Sequence, residues 1–162
     1  MKKALLPSFV ILLIVAIDQV FKIWISQSFS LYSTKVLIPN FLEFAYLHND
    51  GAAMGMLAGS RWYLIGFTSL LLLGCLGYLF FGKQKPLFLQ LALAFIVGGG
   101  IGNLIDRIYL GYVVDFVRFP ISWFSYSFNI ADCAVCVGCA ILILDLLLDV
   151  KRAKLTSVSK DN

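Results

Sequence analysis

Two acidic residues occupy positions in this sequence that could support acid–base chemistry. Asp132 lies three residues after Asn129 in an apolar segment, and Asp115 lies between hydrophobic residues in the stretch VVDFV. The topology predicted below places both acids at the same depth, near the outer membrane face, so a catalytic role is possible. A structural role fits the residues equally well, because Asn129 could cap a helix and Asp132 could lie in its first turn, where an acid suits the helix dipole.

Further polar residues recur at helical spacing within apolar segments. Asn103, Asp106 and Arg107 share one face of a helix, and Asp18 precedes Lys22 by four residues. A charged residue at the centre of a membrane helix costs about 2.5–3.5 kcal/mol on insertion scales, so these side chains should face the protein interior. For Asp18 and Lys22 we expect either an ion pair that holds the first helix against its neighbours or direct contact with a substrate.

Other reactive residues do not form a recognisable site. Cys133, Cys136 and Cys139 are spaced C-x-x-C-x-x-C, but the fourth cysteine and the proline of the bacterial ferredoxin pattern are missing, so we interpret them as small apolar residues packed on a helix face. His48 is the only histidine and has no Cys or Asp set around it. The sequence therefore predicts no metal site and no cofactor.

A run of glycines from 98 to 102 has two interpretations. A dinucleotide-binding loop must follow a strand and open a helix, whereas these glycines close an apolar segment. Gly98 and Gly102 form a G-x-x-x-G pattern, which lets another helix approach closely. We interpret the run as a helix-packing surface.

The elements that must position these residues are membrane helices. Hydrophobic residues make up 60% of the chain and charged residues 14%, against about 25% charged in a soluble domain. Apolar segments of about 20 residues, long enough to span a bilayer, cover residues 4–26, 62–82, 86–105 and 128–148. The first has no small-residue cleavage site and continues to Trp24, so we expect it to be retained rather than cleaved as a signal peptide. The small net charge of +4 requires no nucleic-acid partner.

The distribution of basic residues predicts the orientation. Eight basic residues lie on the side of the two termini, against four or five on the other side, which places both termini in the cytoplasm. The eight are Lys2, Lys3, Lys83, Lys85, Lys151, Arg152, Lys154 and Lys160; the others are Lys35, Arg61, Arg107 and Arg118, with Lys22 at the membrane margin. The loops 27–61 and 106–127 are then outside, and residues 151–162 form a frayed cytoplasmic tail. Residues 36–38 and 41–48 are rich in β-branched and aromatic residues, and Asp50-Gly51 follows as a turn, so loop 27–61 should contain short strands. The predicted fold is a single all-α membrane domain over residues 1–162, with four transmembrane helices and a small extracytoplasmic loop domain that contains β-strands.

Five motifs together resemble the lipoprotein signal peptidases, or type II signal peptidases. The resemblance covers nearly the whole chain, in a four-span frame. In chain order the motifs are Asp18-Gln19-x-x-Lys22, Asn49-x-Gly51-Ala52-Ala53, Gly99-x-x-Gly102-Asn103-x-x-Asp106-Arg107, Val114-Asp115-Phe116 and Phe128-Asn129-x-Ala131-Asp132.

The resemblance implies an aspartic endopeptidase of the bacterial cytoplasmic membrane, with its active site near the outer leaflet. It implies that the substrates are prolipoproteins whose cysteine carries a diacylglyceryl group, and that cleavage occurs before that cysteine. Membrane lipids and lipidated precursors would be its partners, and we expect a monomer. The residues that it implies are a catalytic pair, Asp115 and Asp132, the substrate-binding residues Asn49, Gly51, Asn103, Arg107 and Asn129, and the supporting residues Asp18, Lys22 and Asp106.

Two other functions compete with this hypothesis. Intramembrane acids and bases also mark ion paths, so the chain could be an ion- or proton-coupled transporter. Most of its polar residues lie toward one membrane face, however, whereas a transport path needs them at all depths. A non-catalytic assembly subunit is the third hypothesis, and it leaves the inward-facing acids unexplained.

Overall fold

The computed structural model describes residues 2–52, 55–82, 86–121 and 124–158. In chain order the elements are α1 (Lys2–Ser28), β1 (Thr34–Ile38), β2 (Leu42–Asn49), α2 (Arg61–Phe81), α3 (Leu87–Tyr109), β3 (Val113–Ile121), β4 (Phe124–Phe128) and α4 (Ile130–Val158). Each of these four helices contains a stretch long and apolar enough to cross a membrane. The predicted fold class, four membrane helices with a small sheet, is confirmed.

Two helices continue by four residues or more beyond the ends of the predicted spans. α3 continues past residue 105 to Tyr109, so that Asp106 and Arg107 lie within the helix. α4 continues past residue 148 to Val158, and residues 151–158, expected to be frayed, are helical. The remainder of the predicted tail, residues 159–162, lies outside the described residues, as do Ala53 of the second motif and Lys83 and Lys85 of the orientation argument.

The sheet is larger than predicted. Loop 27–61 supplies β1 and β2 as expected, but β3 and β4 come from the second loop, for which no strands were predicted. The four strands are ordered β1-β2-β3-β4, and each neighbouring pair is antiparallel. Asn49 is opposite Val113 and Leu47 is opposite Asp115, so Asn49 and Asp115 are diagonal neighbours on one face of the sheet.

Helix α3 lies at the centre of the bundle and contacts the other three helices. Its glycines make the closest approaches, as the packing interpretation expects. A Cβ at Gly98 would meet Ile14 of α1, and a Cβ at Gly99 would overlap the Ala131 carbonyl oxygen of α4. At Gly102 a Cβ would lie 2.6 Å from Asp18 Oδ2. Glycine at these positions allows α1 and α4 to reach the polar residues of α3.

The three cysteines of α4 do not pack between helices. Cys133, Cys136 and Cys139 are exposed, the first two of them into a cavity described below, which contradicts the expected helix-packing role. A thiol is weakly polar and behaves as a small hydrophobic group, so it can face lipid at little cost. No cluster of three His, Cys, Asp or Glu side chains with metal-site geometry occurs in the described ranges.

Candidate active site

Lys22 lies at the centre of a buried polar cluster where the four helices meet the sheet, which we call the sheet end of the bundle. The side chain is 3% exposed, and its ammonium group has three acceptors. Lys22 Nζ lies 2.8 Å from Asp18 Oδ2 and 2.9 Å from Asp106 Oδ2, and it donates to Asn103 Oδ1 at 2.9 Å. The predicted ion pair with Asp18 is present, and Asp106 of α3 is a second anionic partner.

Asp18 links α1 to the start of α4. Its Oδ1 accepts the backbone N–H of Ala131 at 2.9 Å, one of the N–H groups in the first turn of a helix that has no partner within the helix. Asp18 is fully buried. The carboxylate therefore neutralises Lys22 and also holds the N-terminus of α4, where a negative charge is favourable.

Asp106 links α3 to the start of β3. Its Oδ2 accepts the backbone N–H of Val114 at 3.0 Å, and its Oδ1 accepts Gln19 Nε2 at 3.0 Å. Val114 directly precedes Asp115. The ion pair with Lys22 thus fixes the backbone beside one of the two predicted catalytic acids.

Asn103 connects this cluster to Asp132. Its Oδ1 accepts from Lys22 and, at 3.1 Å, from Asn129 Nδ2, while its Nδ2 donates to Asp132 Oδ1 at 2.7 Å. Because both sides of the amide are used, the orientation of the Asn103 side chain is fixed. It presents its donor group to the Asp132 carboxylate.

Asn129 and Asp132 form the start of α4. The Asp132 N–H donates to Asn129 Oδ1 at 3.0 Å, and the Asn129 N–H donates to Asp132 Oδ2 at 3.2 Å. This reciprocal pair is a capping box, so the structural role considered for these residues is present. The capping bond uses one oxygen of Asp132, and Asn103 bonds to the other. Because each carboxylate oxygen can accept two hydrogen bonds, Asp132 keeps acceptor capacity for a chemical role.

Asp115 is 3% exposed and is held by two amides. Asn129 Nδ2 donates to its Oδ1 at 2.7 Å, and Asn49 Nδ2 donates to its Oδ2 at 3.0 Å. Burial, reinforced by the negative charge of Asp132, raises the pKa of Asp115 to about 7, although the two amide hydrogen bonds and Lys22 favour the ionised form. Asn129 thus contacts both acids, one through its amide nitrogen and the other through its backbone and amide oxygen.

Arg107 and Gly51 close the site from the side of the first loop. Arg107 Nη2 donates to the Gly51 carbonyl oxygen at 2.8 Å, and the Gly51 N–H donates to Asn49 Oδ1 at 3.0 Å. Gly51 is buried, and a Cβ there would lie 2.7 Å from the Met56 carbonyl oxygen. A side chain at this position would displace the turn that orients Asn49 toward Asp115.

A cavity of about 570 Å³ lies over these residues. Five of the predicted site residues line it: Asn49, Asn103, Arg107, Asp115 and Asp132. Gly51 and Asn129 are buried and do not line it. Asp18, Lys22 and Asp106 do not line it either; they support Asn103, β3 and α4, and Lys22 and Asp106 line a second cavity of about 330 Å³. Residues of the membrane helices also line the first cavity, among them Thr68 of α2 and the apolar Val135 and Cys136 of α4.

His48 belongs to a separate aromatic cluster. Its ring stacks on Tyr112 with centroids 3.6 Å apart, and its Nε2 lies 2.9 Å from the Tyr46 hydroxyl oxygen. Partial burial lowers the pKa of His48. The histidine next to Asn49 therefore packs against tyrosines and does not line the cavity that holds the two acids.

Sequence reasoning missed two contacts that organise the site. Gln19 Nε2 bridges the Gly102 carbonyl oxygen at 3.2 Å and Asp106, and its position as a polar residue in an apolar helix could have indicated an inward role. Arg61 donates to two carbonyl groups at the end of α3. No local pattern could have indicated that contact, because it joins segments more than 40 residues apart.

The chain is similar to known proteins over most of its length. Residues 10–148 match the family model described as signal peptidase (SPase) II. A lipoprotein signal peptidase of Symbiobacterium thermophilum is 41% identical over 137 residues, which cover 83% of this chain and 89% of that protein. A lipoprotein signal peptidase of Streptococcus thermophilus is 40% identical over 146 residues, covering 90% and 94%. A solved structure described as a bacterial membrane enzyme superimposes with a TM-score of 0.82 at 31% identity, covering 90% of each chain. The chain therefore belongs to the signal peptidase II family, a family of membrane aspartic peptidases.

Proposed function

We propose that this protein removes the signal peptide from prolipoproteins whose cysteine carries a diacylglyceryl group, cleaving the peptide bond before that cysteine. Asp115 and Asp132 are the catalytic pair in this proposal. The observation that carries it is that both carboxyl groups line one cavity and are tied together by the amide of Asn129. Family membership supports the reaction class.

The two acids divide the chemistry of amide hydrolysis. Asp115, whose pKa is about 7, is protonated in about half of the molecules at neutral pH, and in that form it donates a hydrogen bond to the substrate carbonyl oxygen. Asp132, in the first turn of α4, lies where a negative charge is favourable, and it accepts a proton from the attacking water. The water oxygen bonds to the carbonyl carbon, and the proton is then delivered to the leaving nitrogen as the C–N bond breaks.

The amides and Arg107 orient the substrate. Asn49 is bonded to Asp115 and Asn103 to Asp132, and both amides line the cavity, so their remaining hydrogen-bonding capacity is available to a peptide backbone. Arg107 lines the same cavity while it holds Gly51. In this proposal Asn49, Gly51, Asn103, Arg107 and Asn129 bind or order the peptide, and Asp18, Lys22 and Asp106 support them.

The proposed setting is the bacterial cytoplasmic membrane, with both termini in the cytoplasm and the sheet end facing outward. The cavity combines the polar side chains around the two acids with apolar lining from Phe119 and Phe128 of the sheet and Val135 of α4, which suits a peptide attached to acyl chains. The chains can remain in lipid while the peptide reaches the two acids. We propose that the protein acts as a monomer, because the two acids and the residues that hold them come from one chain.

The test is cleavage of a matched pair of precursors by the purified protein in lipid. The two precursors share one sequence, and only one of them carries the diacylglyceryl group on its cysteine. The proposal expects rapid cleavage of the lipidated precursor and a product whose first residue, by mass spectrometry, is the lipidated cysteine. Equal cleavage of both precursors, or cleavage at another bond, would contradict the proposed specificity.

A further inference from the structure

Arg61 makes an unusual contact for the first residue of a helix. Its Nε donates to the Arg107 carbonyl oxygen at 2.7 Å, and its Nη2 donates to the Ile108 carbonyl oxygen at 2.8 Å. These carbonyl groups belong to the last turn of α3, where the backbone oxygens have no N–H partner further along the helix. The Arg61 guanidinium at the start of α2 therefore caps the C-terminus of α3, where a positive charge is favourable.

The same side chain packs against the turn that leads into β3. Gly111 has φ +92°, a conformation that favours glycine, and a Cβ there would lie 3.2 Å from Arg61 Nη1. The Leu110 and Gly111 N–H groups both donate to the Asp106 carbonyl oxygen, at 2.7 and 3.2 Å. Arg61 thus lies against the short connection between Arg107 and the strand that carries Asp115.

Arg61 and Arg107 together join the first loop to the end of α3 at two points. The Arg107 side chain donates to the carbonyl oxygen of Gly51, in the first loop. Arg61, at the end of that loop, donates to the carbonyl oxygen of Arg107. The backbone of Arg107 is therefore fixed by one contact and its guanidinium is aimed by the other. Its charge also interacts favourably with Asp132 and Asp115.

We propose that Arg61 is a positioning residue for the peptidase reaction and acts through Arg107. By fixing the last turn of α3, it holds the Arg107 guanidinium at the wall of the catalytic cavity and keeps Gly51 in place beside Asn49. This inference rests on the proposed function, in which Arg107 binds the substrate. A misplaced Arg107 should weaken substrate binding more than it slows the chemical step.

The experiment compares Arg61→Ala and Arg61→Lys in the full chain reconstituted in lipid, with Lys35→Ala as the control. Lys35 is an exposed basic residue on β1, away from the cavity. KM and kcat are measured with the lipidated precursor, and the thermal midpoint of each variant is measured in parallel. Arg61→Ala should raise KM by about tenfold, because a small displacement of a binding group lowers efficiency by ten- to a hundredfold, while kcat stays within about twofold. Arg61→Lys should fall between Arg61→Ala and wild type, since an ammonium cannot reproduce the planar two-point contact.

A double-mutant cycle separates this role from a general structural one. In a background of Arg107→Ala, or of Arg107→Lys where more activity is needed, Arg61→Ala should have little further effect on kcat/KM, because the two residues act in series. Additive effects, an unchanged KM in Arg61→Ala, or a loss of activity that follows only a lower thermal midpoint would overturn the inference. Failure of the wild-type protein to cleave the lipidated precursor would instead refute the proposed function.

Discussion

Replacing Asp115 by asparagine should change how the stability of the protein depends on pH. Asparagine keeps the size of the side chain and can still hydrogen bond with Asn49 or Asn129, but it does not titrate. Asp115 is almost fully buried, beside the negative charge of Asp132, and its pKa lies at about 7 in the folded protein against 3.8 for an ordinary aspartate.

The magnitude follows from this difference in pKa. One pKa unit corresponds to about 1.4 kcal/mol, so holding ionised Asp115 in the folded protein costs about 4 kcal/mol compared with its protonated form. Because the folded pKa is raised, the favourable contribution is complete below about pH 4 and is lost as the pH rises to about 7. For a chain of this length, a change of that size moves the thermal midpoint by about 10 °C.

The assay is the thermal midpoint of wild type and Asp115→Asn, measured in one detergent or lipid system from pH 4 to pH 8. Asp115→Asn should gain about 10 °C relative to wild type between the two ends of this range, and the gain should level off above about pH 7. Asp50→Asn, at an exposed aspartate before Gly51, is the matched control and should follow wild type. Parallel curves for wild type and Asp115→Asn would refute the argument, because Asp115 would then be ionised in the folded protein throughout the range.

Three further predictions test the support of the site, the chemistry and the topology. Lys22→Ala leaves buried Asp18 and Asp106 without their cation, so it should lower the free energy of unfolding by about 3–5 kcal/mol and reduce the amount of protein in the membrane. Normal thermal stability without cleavage would instead place Lys22 among the catalytic residues. Cleavage should survive exhaustive treatment with EDTA, since two carboxylic acids suffice for the mechanism; loss on chelation with rescue by zinc would contradict it. In a variant without the native cysteines, Thr34→Cys and Ser125→Cys should react with an impermeant thiol reagent added outside intact cells, and Gln84→Cys and Ser159→Cys should not. Labelling of residue 84 from outside would contradict the predicted orientation.

The helical framework could be predicted because its signals are local. The length and apolar character of each segment indicate a membrane helix without reference to any other segment, as α2 and α3 illustrate. The pairing of Asp18 with Lys22 is equally local, since residues four apart on a helix face each other. These features depend on one helix at a time.

The rest of the site depends on contacts between distant segments. Asp106 was placed on an inward face, but its bonds to Lys22 and to the Val114 N–H exist only because α1, α3 and β3 meet. Strands β3 and β4 were missed because an apolar run next to a membrane margin does not by itself distinguish a strand from the end of a helix. Arg61 was counted only as a charge for orientation, although its guanidinium caps α3.

The question left open for Asn129 and Asp132 shows a different limit. A capping box and a catalytic acid require the same residue types at the same spacing, so the sequence could not separate the two roles. The structure contains the capping box and also places Asp132 at the wall of the cavity. The two interpretations are therefore compatible, and a substitution must preserve the helix start if it is to test the chemistry.

The most direct measurement of the central claim compares cleavage of the lipidated precursor by Asp115→Asn, Asp132→Asn, the double variant and Asp145→Asn. Asp145 is a buried acid on the same helix as Asp132, but thirteen residues, or about 20 Å, separate them along the helix, too far for a shared proton. Each catalytic-site variant should remain folded and bind the precursor without cleaving it. The double variant should be no worse than either single one, because the two acids act as a unit, and Asp145→Asn should keep most of the activity. Substantial turnover by Asp115→Asn or Asp132→Asn would contradict the aspartic mechanism.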